Sequence, residues 1–191
     1  MYHIKNDQRA IRSSQMLYDA LVGLMGQKKF EEIKVSDLVK EAQLGRATFY
    51  RNFDAIEDIL RMRCDQTIDG LITYIMAYRQ THKIEHRTQL LKPLLRYFYL
   101  DSSIIELLMQ AERLDIMQAS FYKRFEGFKS QLVGLLDVPE EYIEYSIVIR
   151  ISVTMNILIH WIKSGKRQAP DELADRLEEL MKKMVTLEQL L

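Results

Sequence analysis

Residues 46–52, RATFYRN, hold the most concentrated polar chemistry in this chain. Arg46 and Arg51 offer guanidinium forks, Thr48 and Tyr50 hydroxyls, and Asn52 an amide; no carboxylate follows until Asp54. Guanidinium groups bind phosphates and guanine edges, and hydroxyls and amides bond phosphates or bases. Phe49 and Phe53 are four apart, so on a helix they share one face and leave the other to the polar groups. The stretch reads as a short cationic helix pinned from behind by two aromatic rings. Arg46, Ala47, Thr48, Tyr50, Arg51 and Asn52 are its candidate DNA-contacting residues.

Other reactive chemistry is sparse. His82 and His86 are four apart with Glu85 beside them, but no cysteine is near, so solvated histidines at a helix start are expected rather than metal ligands. No Gly-rich phosphate loop and no nucleophile signature occur. The reading is therefore of a non-enzyme with no catalytic residue, metal or cofactor. Cys64 is the single cysteine and has no partner for an internal disulfide, which fits a reducing cytosol. It is expected to be a packed or surface thiol rather than a redox sensor.

The elements that must position the cationic helix are all helical. Three Pro and seven Gly in 191 residues leave room for long helices, and few alternating Val/Thr-rich runs argue against a sheet. At 48% hydrophobic and 28% charged, the composition is that of a globular protein with a substantial core. The N-terminus lacks the apolar segment of a signal peptide. The longest apolar run, near 143–162, is interrupted by Glu144, Arg150, Asn156 and His160, so no membrane span is expected. Net charge is zero, yet residues 1–53 carry nine Lys/Arg against six Asp/Glu, and residues 54–191 carry 18 against 21. A basic first part on an acidic body suits a module that meets phosphates.

Residues 34–53, KVSDLVKEAQLGRATFYRNF, read as two helices joined by a tight turn. Val35, Leu38 and Val39 line one face of the first, and Ala42 lets the second cross closely. Gly45 is expected to take a backbone angle that other residues resist. A helix-turn-helix of this kind presents its second helix to the DNA major groove. Ahead of it, residues 7–26 form a helix with Ile11, Met16, Leu17, Ala20, Leu21, Leu24 and Met25 as its apolar stripe. Residues 1–6 read as a frayed arm. Phe30 and Ile33 plug the small core.

The phrase Thr48-Phe49-Tyr50-Arg51-Asn52-Phe53, with Asp37-Leu38 in the preceding helix, resembles the TetR family of bacterial transcriptional regulators. The resemblance spans roughly residues 7–60. It implies an all-α protein with an N-terminal three-helix DNA-binding domain, residues 1–54, and a C-terminal regulatory and dimerisation domain, residues 55–191. It also implies that Arg9 and Arg12 touch the DNA backbone or nearby minor groove; solvated surface charge is the alternative. Departures from the family pattern are visible. Lys34 stands where a Thr usually caps the first motif helix, so Ser36 is expected to cap it. Val39 replaces the small residue at the helix crossing, and Gln43 replaces the turn glycine. Ile56 replaces a Lys that commonly holds a phosphate.

Asp54 is expected to cap a fourth helix running to about 80, with Glu57 completing a capping box. It begins beside the DNA and ends in the larger body, so it is the natural lever between them. Further helices are expected at 86–99, with Pro93 either kinking it or marking a late start, at 103–111 from a Ser103/Glu106 capping box, and at 115–136. Pro139 is expected to open a helix to 164 that is apolar on nearly every side and so must be covered all round. Gly165 ends it, and Pro170 starts a last helix with Leu173, Leu177, Leu180, Met184, Leu187 and Leu191 in a coiled-coil-like seam. Surplus apolar surface on helices 139–164 and 170–191 predicts a homodimer through a four-helix interface. The stretch 160–173, HWIKSGKRQAPDEL, loosely resembles the regulatory-domain end of a Gram-positive branch of the family.

The family resemblance implies an effector pocket in the body, between the fourth helix and the helix at 139–164. Its candidate walls are Tyr97, Phe98, Met109, Met117, Phe121, Phe125 and Tyr145, with Arg150 and Asn156 as polar groups to orient a small-molecule effector. The expected protein is a cytoplasmic, ligand-responsive dimeric repressor on a palindromic double-stranded DNA operator. The alternative is a helical interaction module or an activator working through a partner protein, with weak or lost DNA binding.

Overall fold

The computed structural model describes residues 1–4, 7–81, 90–127 and 139–187. Among them lie nine α-helices and no strand beyond one isolated bridge, Tyr2 to Phe53. His82, Glu85, His86, Phe128 and Leu191, and the far part of the helix expected at 115–136, lie outside the described residues. The chain divides into two compact units: residues 1–68 with 103–126, and residues 69–102 with 127–191.

The first unit begins with α1, Gln8–Met25, whose Asp7 side chain accepts the Ala10 N–H at 2.8 Å as N-cap. Leu17 and Leu21 are fully buried, while Ile11 is exposed and leaves the predicted stripe. After a 3₁₀ turn, Phe30–Glu32, comes α2, Val35–Glu41. Ser36 does not cap it. Asp37 reaches back to the Lys34 N–H at 3.3 Å and pairs with Lys28, which holds its carboxyl below the usual range. A carboxylate in the first turn does the capping work from inside the helix. Helix α3 is Arg46–Asn52, and α4 is Glu57–Thr81.

The start of α4 corrects another expectation. Asp58, buried, accepts the N–H groups of Asp54 at 3.2 Å and Ala55 at 3.0 Å. Glu57 instead pairs with Arg113 at 3.3 Å, and Asp54 points away toward the N-terminus. Helices α6, Ser103–Gln110, and α7, Leu114–Gly127, complete this unit with buried Ile104, Ile105, Leu108, Ile116 and Met117. Ser103 is the first residue of α6 rather than a cap before it. Gln110 donates to the Met25 carbonyl at 2.6 Å, satisfying an orphan acceptor at the end of α1.

In the second unit, α5, Leu91–Leu100, buries Pro93, Leu94, Leu95 and Phe98, with Leu90 left outside. Helix α8 is Ile143–Lys163, entered through a 3₁₀ turn, Glu140–Tyr142, so Pro139 opens the turn and not the helix. Ile143, Ile147, Ile151, Met155, Leu158 and Ile162 form its buried stripe, and Trp161 stacks against Tyr99. Gly165 at φ 78 and Lys166 at φ 53 turn the chain into α9, Pro170–Leu187. Helix α9 lies on α5 through Arg96–Asp171 and Lys92–Asp175 pairs around buried Ala174. Of the predicted seam, Leu173 and Leu177 are half-buried and Leu180 is exposed.

Several large apolar residues of α8 off its buried stripe are exposed. Tyr145 is 68% exposed and Ile149 62%, with Val148 and Val153 exposed beside them. The most apolar 18-residue window within residues 140–163 has a mean hydropathy of 1.4, so by length and composition alone this helix could cross a bilayer. The same test is passed by a helix whose apolar face is covered by protein.

Candidate nucleic-acid interface

The turn into α3 is built differently from its sequence expectation. Gly45 has φ −81 and ψ 150, an ordinary extended conformation that any residue adopts. Gln43 takes the left-handed angle, at φ 53, in the place where the family pattern has glycine. Gly45 serves as N-cap, and its carbonyl accepts the Thr48 N–H at 2.9 Å.

Behind the helix, Phe49 and Phe53 are fully buried with ring centroids 6.0 Å apart. Tyr50 meets Phe49 edge-on at 5.2 Å, which steadies the ring while the side chain stays 58% exposed. Arg46, Ala47 and Arg51 are exposed, and Thr48 is half-buried. Arg51 donates from Nη2 to Thr48 Oγ1 at 3.2 Å, so one guanidinium edge is held by its own helix and the rest remains outward. Arg9 and Arg12 are exposed on α1.

Asn52 departs from this pattern. Its side chain is buried at 1% exposure, and its amide donates to Ser13 Oγ of α1 at 2.9 Å. Asn52 follows Phe49 by three residues and so lies toward the buried side of the helix, where an amide needs an internal partner. Asn52 thus ties α3 to α1 and does not join the outward group.

Residues 1–4 of the N-terminal arm are docked rather than frayed. The His3 N–H donates to the Asn52 carbonyl at 2.8 Å, and the Asp54 N–H donates to the Met1 carbonyl at 3.2 Å. The Met1 amine meets Asp58 at 2.7 Å and Asp54 at 2.9 Å, and His3 Nε2 lies 3.0 Å from Asp54. Hydrogen bonds from that amine and from His3 hold the Asp54 carboxyl below its usual range. The Tyr2 hydroxyl donates to Asp65 of α4 at 2.6 Å, and Lys123 of α7 reaches the same carboxylate at 3.2 Å. Burial works to raise the Asp65 carboxyl, but bonds from Tyr2, Ser120 and Lys123 outweigh it and keep it low. No local pattern in the sequence announces these contacts.

Cys64 is buried beside them, and burial pushes its thiol up to about 12. It stays a neutral thiol at ordinary pH, unsuited to redox sensing. Among the described residues no three His, Cys, Asp or Glu gather as a metal would require.

The candidate effector residues do not fall in one compact unit. Met109, Met117, Phe121 and Phe125 belong to the first, and Tyr97, Phe98, Tyr145, Arg150 and Asn156 to the second. Phe98, Met117 and Phe121 are core residues, and Met109 and Tyr97 are half-buried. Tyr145, Arg150 and Asn156 are exposed on α8. Arg150 donates to Ser146 Oγ at 3.3 Å, and Asn156 donates to the Ser152 carbonyl at 2.8 Å. Their polar groups lie on exposed positions, off the buried stripe of that helix.

Two family models match the chain: "Bacterial regulatory proteins, tetR family" over residues 17–61, and "Transcriptional regulator C-terminal region" over residues 85–183. No curated protein sequence matches it. Among solved structures, the Listeria innocua protein Lin0861 superposes with a TM-score of 0.71 at 17% identity, over 95% of this chain and 96% of that one. The fatty acid degradation regulator FadR of Bacillus halodurans gives 0.52 at 16% identity, over 92% and 95%. At such identities the likeness establishes the all-helical fold.

Proposed function

The chain belongs to the TetR family of bacterial transcriptional regulators, and from that premise we propose that it is a ligand-responsive, homodimeric repressor of a palindromic operator. It is a DNA-binding regulator and not an enzyme. The observation that carries the reading is the outer face of α3: Arg46, Ala47, Tyr50 and Arg51 exposed, with Phe49 and Phe53 buried behind. Arg46 and Arg51 supply charge and guanine-reading capacity; Tyr50 and Thr48 supply hydroxyls for phosphates or base edges. Arg9 and Arg12 add backbone contacts. Two copies joined through α8 and α9 would present two such helices to half-sites roughly 34–36 Å apart, or a multiple of that. The exposed Tyr145, Val148, Ile149 and Val153 are the apolar surface that a second copy covers. As a DNA-binding regulator it works in the cytoplasm, where its DNA is.

A small-molecule effector binds the C-terminal body. It acts by shifting α4 and so the spacing of the recognition helices. An activator working through a partner protein is the second reading, favoured by Ile56 in the place of a phosphate-holding Lys. Replacing Tyr50 and Arg51 together by Ala tests the interface. Gel-shift binding to a duplex enriched by the wild-type chain should vanish while helix content by circular dichroism is unchanged. Retained binding would refute the assignment of α3.

A further inference from the structure

We propose that residues 1–4 form a strap that sets the angle of the recognition helix, with Tyr2, Asp65 and Lys123 as positioning residues for DNA binding. The inference rests on the DNA-binding reading of α3 and adds a part that the helix-turn-helix itself does not contain.

Helix α3 is seven residues long, held from behind by Phe49 and Phe53 and by the Asn52 bond to Ser13. Its polar face must meet base edges within hydrogen-bond tolerance, a few tenths of an ångström. A rotation of about 20° about the helix axis moves an atom at a radius of about 5 Å by about 2 Å. Whatever fixes the exit of α3 therefore decides whether its outer face can read DNA. That exit, residues 52–54, is gripped by the arm through the His3 N–H to Asn52 carbonyl bond, the Tyr2–Phe53 bridge and the Asp54 N–H to Met1 carbonyl bond.

The arm is anchored in turn. Tyr2 donates to Asp65 at 2.6 Å, and Asp65 is almost fully enclosed, so its charge requires partners. Lys123 supplies the second from α7 at 3.2 Å, and its ammonium also lies 6.0 Å from the centre of the Tyr2 ring. Ser120 supplies a third hydrogen bond. One buried carboxylate thus joins the arm, α4 and α7. Loosening Tyr2 or Lys123 should free the exit of α3 without touching any group that faces DNA.

The test uses full-length Tyr2→Phe and Lys123→Met against two duplexes, one enriched by the wild-type chain from a random pool and one of random sequence. Amide exchange of His3 and Asp54 is followed in parallel. We expect about a five- to tenfold loss on the enriched duplex for each variant. Binding to the random duplex and the salt slope should be unchanged, and exchange at His3 and Asp54 should be faster. An equal loss on both duplexes, or a shallower salt slope for Lys123→Met, would mean that these groups touch DNA directly and would overturn the proposal. Unchanged affinity on the enriched duplex would overturn it as well. If the wild-type chain enriches no duplex, the regulator reading itself fails, and amide exchange alone judges whether the strap holds the exit.

Discussion

Asn52 carries the same kind of polar group as its neighbours on α3, but its amide is turned inward to Ser13. Its loss should register as stability, not as DNA recognition. Truncation to Ala leaves a small cavity and removes one internal hydrogen bond, at a cost of about 1–3 kcal/mol. Ser13 keeps its bond to the Ala10 carbonyl at 3.1 Å, so the cost should stay near the lower end. Thermal unfolding of Asn52→Ala should come several degrees lower, while the salt dependence of DNA binding below that temperature stays that of the wild type. A changed salt slope would return Asn52 to the contact surface. Arg46, Ala47, Tyr50 and Arg51 were legible as outward groups because Phe49 and Phe53 fix which side of the helix is in. Asn52 was not, because the decision was made by α1.

Helix α4 illustrates what periodicity reveals about an element and what it omits. Its apolar positions mark a long helix, and the helix is there, Glu57–Thr81. Its start is set by Asp58 rather than by Asp54 and Glu57, since all three carboxylates sit within reach of a first turn and spacing alone cannot rank them. Gly70 is a second hidden feature. A glycine inside a helix usually costs about 1 kcal/mol relative to alanine. Here a Cβ would land on Tyr97 Oη, so the missing side chain admits α5's tyrosine. Gly70→Ala alone should therefore destabilise the protein by about 1–3 kcal/mol, against the helix-propensity trend. Paired with Tyr97→Phe, the double variant should lose less than the sum of the singles, measured by denaturant unfolding of all four proteins. Simple additivity would mean that the contact is unimportant.

For the whole molecule, the apolar outer face of α8 is the feature that most needs an explanation. A single chain leaves Ile149 62% exposed, in line with a surface that a second copy covers. Ile149→Glu would place a carboxylate and its symmetry mate in that interface. The variant should run as a monomer by light scattering at concentrations where the wild type is a dimer, with helix content retained. Operator affinity should fall steeply because the two recognition helices lose their mutual linkage. A wild-type chain that is itself monomeric at such concentrations would remove the dimer proposal. The repressor reading would then need a different source of half-site spacing.

The sequence by itself determined the helical architecture, the polarity of α3 and the excess apolar surface on α8. Each of these is written in residues three or four apart, and local periodicity survives without knowledge of the rest of the chain. Tertiary structure alone decided that the arm grips residues 52–54, that Asp65 gathers Tyr2 and Lys123, and that Asn52 faces Ser13. These pairs join positions about 40 to 60 residues apart, and no spacing rule connects them. Their partners are chosen by which buried polar group is left unsatisfied once the helices have packed.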